Sequence, residues 1–172
     1  AHPGLGWISA LRSHAIRELV DQGHLQLSLF DEQNLAEMRS PDFPGERLMA
    51  CFNPLLAEQR RRKREELLAA TQKELERIAA SVARRKGKPL GADQIGVKVG
   101  RIIDRYKMAK HFEWTIQAGV LRWSRREESI RREAQLDGIY VVRPGVPAER
   151  LSTADVVRGY KGLAQVERAF RC

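Results

Sequence analysis

The sequence predicts a mixed α/β fold of the α+β kind, and three observations carry that prediction. Short strand-like stretches, several of them rich in β-branched and aromatic residues, recur at residues 7–11, 25–30, 47–52, 111–116, 120–124 and 139–142. One uninterrupted helical pattern covers residues 55–85, far longer than a strand. The chain closes on a Pro-free stretch opened by Ser152 and Asp155, the Ser-x-x-Asp spacing of a capping box, which predicts a last helix from about Thr153.

Taken in order, residues 7–11 make a short strand with Trp7 at its start. Ser13 is placed to cap a helix in which Ile16, Leu19 and Val20 share a face and which ends near Gly23. Leu25, Leu27 and Leu29 alternate with Gln26, Ser28 and Phe30, as in a strand with one apolar face. A polar connector over 31–45 follows, where Pro41 and Pro44 exclude a regular interior strand. Residues 47–52 form the next strand, stopped by Asn53-Pro54.

The long helix is almost entirely polar over 57–66 and then carries Leu68, Leu75, Ile78, Ala79 and Val82 on one side. Leu68, Thr71, Leu75, Ile78 and Val82 also fit an a/d seam of about two heptads. The run 86–91 (Lys-Gly-Lys-Pro-Leu-Gly) stops that helix, and Asp93 is placed to cap the next, 93–106, with Ile95, Val99, Ile102, Ile103 and Tyr106 on its apolar face. Gly96 and Gly100 each weaken it by about 1 kcal/mol relative to Ala, so docking against the long helix as an antiparallel pair is expected to hold it. Two strands joined through Gln117-Ala118-Gly119 predict a hairpin over 111–124, with Trp114 and Trp123 as a cross-strand pair. A charged helix at 127–135, a strand at 139–142 and a Pro-Gly break at 143–147 lead to the last helix.

With 172 residues, 42% of them hydrophobic, the chain is long enough for one domain, and no apolar run approaches the roughly 20 residues of a membrane helix. The start, Ala1-His2-Pro3-Gly4, has neither an initiating Met nor a secretory layout, which suits a fragment of a longer frame. Sparse cysteine, Cys51 and Cys172, suits a reducing compartment, and His2, His14, His24 and His111 form no zinc-ligand spacing with them. The expected location is the cytoplasm, nucleoid-associated when on DNA. A formal charge of +9 calls for a polyanionic partner, because each phosphate neutralised releases condensed counterions.

Between residues 55 and 88 eleven bases face five acids. The consecutive bases Arg60, Arg61, Arg62, Lys63 and Arg64 read either as a phosphate-contacting patch or as a solvated helix face laced with pairs such as Glu58 and Arg62. Lys107, Lys110, Arg122, Arg125 and Arg126 surround the two hairpin tryptophans, an interleaving that suits a second DNA-contacting surface.

In the last helix, Val156, Tyr160, Leu163, Glu167 and Phe170 fall on one face. That puts the Glu167 carboxylate in an apolar stripe, where it needs a cation, a base such as Arg168 or Arg171, or a route to solvent. The pattern Tyr160-x2-Leu163-x3-Glu167 resembles the signature Tyr-x2-Arg-x3-Glu-x6-Lys of a large group of insertion-sequence DDE transposases. Further phrases carry the likeness across nearly the whole chain: Gly-Trp-Ile-Ser-Ala-Leu-Arg at 6–12, Pro-Gly-Glu-Arg-Leu at 44–48, Arg-Glu-Glu-Leu-Leu at 64–68, Tyr-Lys-Met-Ala-Lys-His-Phe at 106–112, Asp-Gly-Ile-Tyr-Val-Val at 137–142 and Val-Glu-Arg-Ala-Phe-Arg at 166–171.

The resemblance implies a partial ribonuclease H-like catalytic core interrupted by an insertion. Residues 1–24 would hold its last core strand and helix, 25–143 the insertion of strands and helices, and 144–172 the truncated catalytic helix. Glu167 would be the catalytic, metal-binding third carboxylate, with two Asp ligands upstream of Ala1, and Tyr160 would contact a DNA phosphate or pack. Leu163 stands where the signature has Arg, and its Lys would fall at 174. The complete enzyme would use Mg²⁺ or Mn²⁺ on transposon ends and target DNA, with a second copy of itself as a candidate partner in a homodimer. This chain, with one carboxylate of three, would hold no metal tightly and would not cut or join DNA alone. Asp137, Asp155 and Glu149 could stand in, but Asp137 reads as a turn residue and Asp155 as a cap. Two other classes remain: a stand-alone basic DNA-binding module, and a helical protein that dimerises through the 68–82 seam.

Overall fold

The structure, a computed structural model, describes residues 6–26, 30, 34–87 and 89–169, the last six by backbone alone. Its elements are β1 (Ile8–Ala10), α1 (Ser13–Asp21), β2 (Leu35–Met38), β3 (Leu48–Phe52), α2 (Pro54–Ala83), α3 (Ala92–Tyr106), β4 (Phe112–Gln117), β5 (Val120–Arg125), α4 (Glu127–Ala134), β6 (Ile139–Pro144) and α5 (Thr153–Ala169). A 3₁₀ turn at Ala109–His111 precedes β4. The fold is mixed α and β, and both sheets are antiparallel. No helix among the described residues is long and apolar enough to cross a membrane.

The chain divides into two compact units, one running to Ala57 and resuming at Gly138, the other Glu58–Asp137. In the first, four strands hydrogen-bond in the order β1-β6-β3-β2. The two central strands are buried on both faces, which is why β3 reads Leu-Met-Ala-Cys-Phe without alternation. Met49, Cys51 and Val142 pack with Val156 and Val157 of α5, joined by half-buried Ile8, Leu35, Tyr140 and Tyr160. Because the ladder ties β2, β3 and β6 to β1, the units are bounded at 57/58 and 137/138, whereas the resemblance places its boundaries at 24/25 and 143/144.

Three local expectations in this unit are corrected. The connector predicted over 31–45 contains β2, which forms because β3 offers it a ladder, Leu35 opposite Cys51 and Met38 opposite Leu48, although Ala36 and Glu37 are poor strand formers. The strand predicted over 25–30 is absent at Leu25 and Gln26: the buried Leu25 instead donates its N–H to Leu19 O at 3.0 Å, closing α1, and Leu27–Leu29 lie outside the described residues. Ser13 is the first helical residue of α1, not its cap; Arg12 occupies that position and makes no side-chain cap.

The start of α5 is capped by Ser152: Asp155 N–H donates to Ser152 Oγ at 3.2 Å, and the Ser152 hydroxyl donates to Asp155 Oδ2 at 2.6 Å. Arg47 fastens it to the sheet, donating to both carboxylate oxygens of Glu37, to Leu151 O at 3.2 Å and to Thr153 Oγ1 at 3.3 Å. Thr153 donates in turn to Glu37. These hydrogen bonds, with Arg47 first, hold the Glu37 carboxyl below its ordinary value.

The second unit is built around Leu68 and Leu75 of α2, Ile95, Val99 and Ile103 of α3, Met108, Phe112 of β4, Leu121 of β5 and Ile130 of α4. The seam 68–82 is therefore used internally, with Leu68, Thr71 and Leu75 fully buried and Ile78 and Val82 packed beside them. The hairpin turns through Ala118 and Gly119, both at positive φ (48° and 73°), as a two-residue primed turn requires. The cap of α3 is Gly91, whose N–H reaches Gln94 Oε1 at 3.3 Å, while Asp93 sits in the first turn.

Candidate nucleic-acid interface

Electrostatics distinguishes the two units before any single residue is considered. Residues 58–137 contain 21 Lys and Arg against 12 Asp and Glu, a balance of +9, which is the whole formal charge of the chain; the remaining residues balance at ten of each. A polyanion would be drawn to the second unit.

Within it, the bases singled out by sequence are mostly committed. Arg60 donates to Leu136 O at 3.2 Å, Arg61 pairs with Glu58 at 2.6 Å, and Arg62 and Lys63 lie 3.6 and 3.8 Å from Glu66. Arg64 points inward: its guanidinium grips both oxygens of Asp137 at 2.9 and 2.6 Å, with side chains only 6% and 13% exposed. The Asp137 hydrogen bond raises the Arg64 pKa above its already high value, so the cation is permanent. Asp137 is thus more than a turn residue, and Arg64 is withdrawn from any DNA surface. Exposed Arg61, Arg62 and Lys63 keep charge toward solvent, but with a carboxylate at hand.

Lys107 pairs with Asp104 at 2.5 Å, and Lys110 with Glu133. Glu133 also lies 2.8 Å from Nε2 of fully buried His111, off the hydrogen-bond line, while Nδ1 of that ring meets Ser129 Oγ at 3.1 Å. Ser129 and Glu133, one helical turn apart on α4, bracket the imidazole. Burial holds the His111 pKa below its ordinary value despite the neighbouring carboxylate. Glu133 is likewise below its ordinary value; burial opposes this, but Lys110 and His111 outweigh it. The arrangement is a polar clamp between the start of β4 and α4.

Trp114 and Trp123 stand directly opposite each other, and Trp123 tilts against Phe112 at 6.0 Å in the core. The alternation puts Arg122 on the other face of the hairpin from both tryptophans, and Arg125 donates to Gln72 Oε1 at 3.1 Å. The interleaved basic and aromatic surface read from the sequence is therefore split between two faces.

Bases that sequence reasoning passed over lie on α3. Lys98, Arg101 and Arg105 are exposed, and no carboxylate among the described residues pairs with them. Their spacing of three and four is the sequence signal that places them on one face of the helix.

In the first unit, Tyr160 stacks on Tyr140, ring centroids 5.8 Å apart at 27°, and belongs to the apolar cluster under α5. Tyr140 lies beside the Cys51 thiol, which burial pushes up to about 11. The stripe that was to bury Glu167 leaves the core earlier, since Leu163 is already 50% exposed. Glu167 lies within helix α5, but its side chain is outside the described residues, as is all of Phe170. Among the described residues no three His, Cys, Asp or Glu converge to hold a metal ion.

No family model matches the chain, and no curated protein or solved structure matches it.

Proposed function

We propose that the chain is the C-terminal part of a DDE transposase, with the basic unit 58–137 engaging DNA and Glu167 serving as one of three carboxylates of a ribonuclease H-like catalytic centre. The observation that carries the DNA half is the segregation of the entire +9 charge into one compact unit. The catalytic half is supported by the Tyr160-x6-Glu167 spacing on one helix whose start Ser152 caps. In the complete enzyme, Mg²⁺ bound by Glu167 and two Asp residues from outside this chain would supply the Lewis-acid chemistry of DNA cleavage and strand transfer.

The test is strand transfer by the complete protein read from the parent frame. Glu167→Gln is expected to abolish Mg²⁺-dependent joining while leaving duplex binding intact, and the 172-residue chain alone is expected to join nothing. Undiminished joining by Glu167→Gln would overturn the assignment. The neutrality of the first unit favours a second reading, a basic DNA-binding module without catalysis, under which Glu167→Gln changes no measured property.

A further inference from the structure

We infer that the exposed face of α3 is the phosphate-contacting surface of the second unit, with Lys98, Arg101 and Arg105 as its cations. The inference deepens the DNA-binding reading above and rests on it, but it moves the contact away from the 60–64 run. The opposite face of α3, Ile95, Val99 and Ile103, is buried in the core, which fixes the helix rotation and presents Gln94, Lys98, Arg101 and Arg105 as one outward row at intervals of four, three and four. The row holds three cations and no acid.

The neighbouring outward row is Asp93, Val97, Gly100 and Asp104. Of its two acids, Asp104 is occupied by Lys107, and Asp93 lies in the first turn, where the helix N-terminus favours a carboxylate. Arg105 lies 5.5 Å from the Tyr106 ring, a contact that orients a guanidinium while leaving its charge unneutralised. By contrast, Arg61, Arg62 and Lys63 must each give up a carboxylate partner before meeting a phosphate.

The row spans eight residues from Lys98 to Arg105, about 10 Å of helix, comparable to the width of a duplex major groove. Gly96 and Gly100 keep the helix slim on its flank. An anionic membrane is the weaker match, because a surface helix that binds lipid needs large apolar side chains beside its bases, and here only Val97, 55% exposed, stands there.

The experiment is fluorescence anisotropy of a mixed-sequence DNA duplex with the 172-residue chain across a salt series. Lys98→Gln, Arg101→Gln and Arg105→Gln together should weaken binding by roughly tenfold or more and lower the slope of log K against log salt by about one per residue removed. The matched control, Arg61→Gln, Arg62→Gln and Lys63→Gln, should move the slope by less than half as much. Gly100→Lys is the reciprocal variant: a Cβ there meets nothing within 4 Å, so the added base should tighten binding and steepen the slope. An unchanged slope in the α3 triple variant, with circular dichroism intact, overturns the α3 assignment while salt-sensitive binding by the parent chain keeps the DNA reading. No duplex binding by the parent chain overturns both. Binding to phosphatidylserine vesicles that the triple variant loses, with duplex binding retained, overturns it in favour of a membrane.

Discussion

Arg64 shows how a single side chain can mean the reverse of what its neighbours suggest. It is the fifth base in a row of five, yet its helical position turns it into the protein, where it meets Asp137, 73 residues away. A charge buried without a partner is much more costly than an ion pair buried whole, so removing one member is the harsher change. Asp137→Ala is expected to destabilise the second unit by about 3 kcal/mol, measured by urea denaturation. Arg64→Met with Asp137→Leu should recover most of that loss, and equal effects of single and double variants would reject the pairing.

His111 makes a second prediction at this scale. Its folded pKa lies below the ordinary value of 6.5 because burial disfavours the cation. As pH falls below about 6.5, the unfolded chain therefore takes up a proton that the folded chain refuses. Stability is full above that pH and declines below it, and Glu133, held below its ordinary 4.5, adds a further loss only in stronger acid. The urea midpoint is expected to drop between pH 7 and pH 5. His111→Gln should flatten that part of the profile, and an unaltered profile in this variant would remove His111 as the cause.

At the scale of elements, α2 is the long helix that the pattern demanded, but the role of its apolar seam was ambiguous from sequence. A two-heptad seam can bind a second copy or fold inward, and periodicity is the same in both cases. Here α3, the hairpin and α4 already cover Leu68 and Leu75. Leu75→Asp is accordingly expected to unfold the second unit, reducing helical circular dichroism in proportion, rather than to split a dimer. Sedimentation showing a folded monomer produced from a dimer by this substitution would reverse that conclusion. Element starts depend on equally local chemistry: Asn53 Oδ1 accepts the Leu56 N–H at 3.2 Å and Pro54 begins α2, so the residues that stopped β3 also start the helix.

Across the whole molecule, the division into a neutral unit and a unit carrying all the net charge sets the salt dependence of any binding. The link at 137/138 is constrained as well. Gly138 has φ of +77°, and a Cβ there would come within 2.6 Å of Asn53 O, so Gly138→Ala is expected to lower stability by about 2 kcal/mol or more, readable as a shifted urea midpoint.

The sequence by itself determined where most elements lie, because helix and strand periods, Pro and Gly breaks and the Ser152–Asp155 box are local signals. It also determined that the chain is basic, and it carried the Tyr160–Glu167 spacing. Tertiary structure decided which of those features are available. It made β2 a strand by giving it an edge, withdrew Arg64 and Tyr160 into packed environments, filled the α2 seam, and left Lys98, Arg101 and Arg105 without a carboxylate partner among the described residues. The reason is physical: a side chain's partner is set by contacts between residues far apart in sequence, and a local pattern of charge or hydrophobicity specifies a face without specifying what meets it.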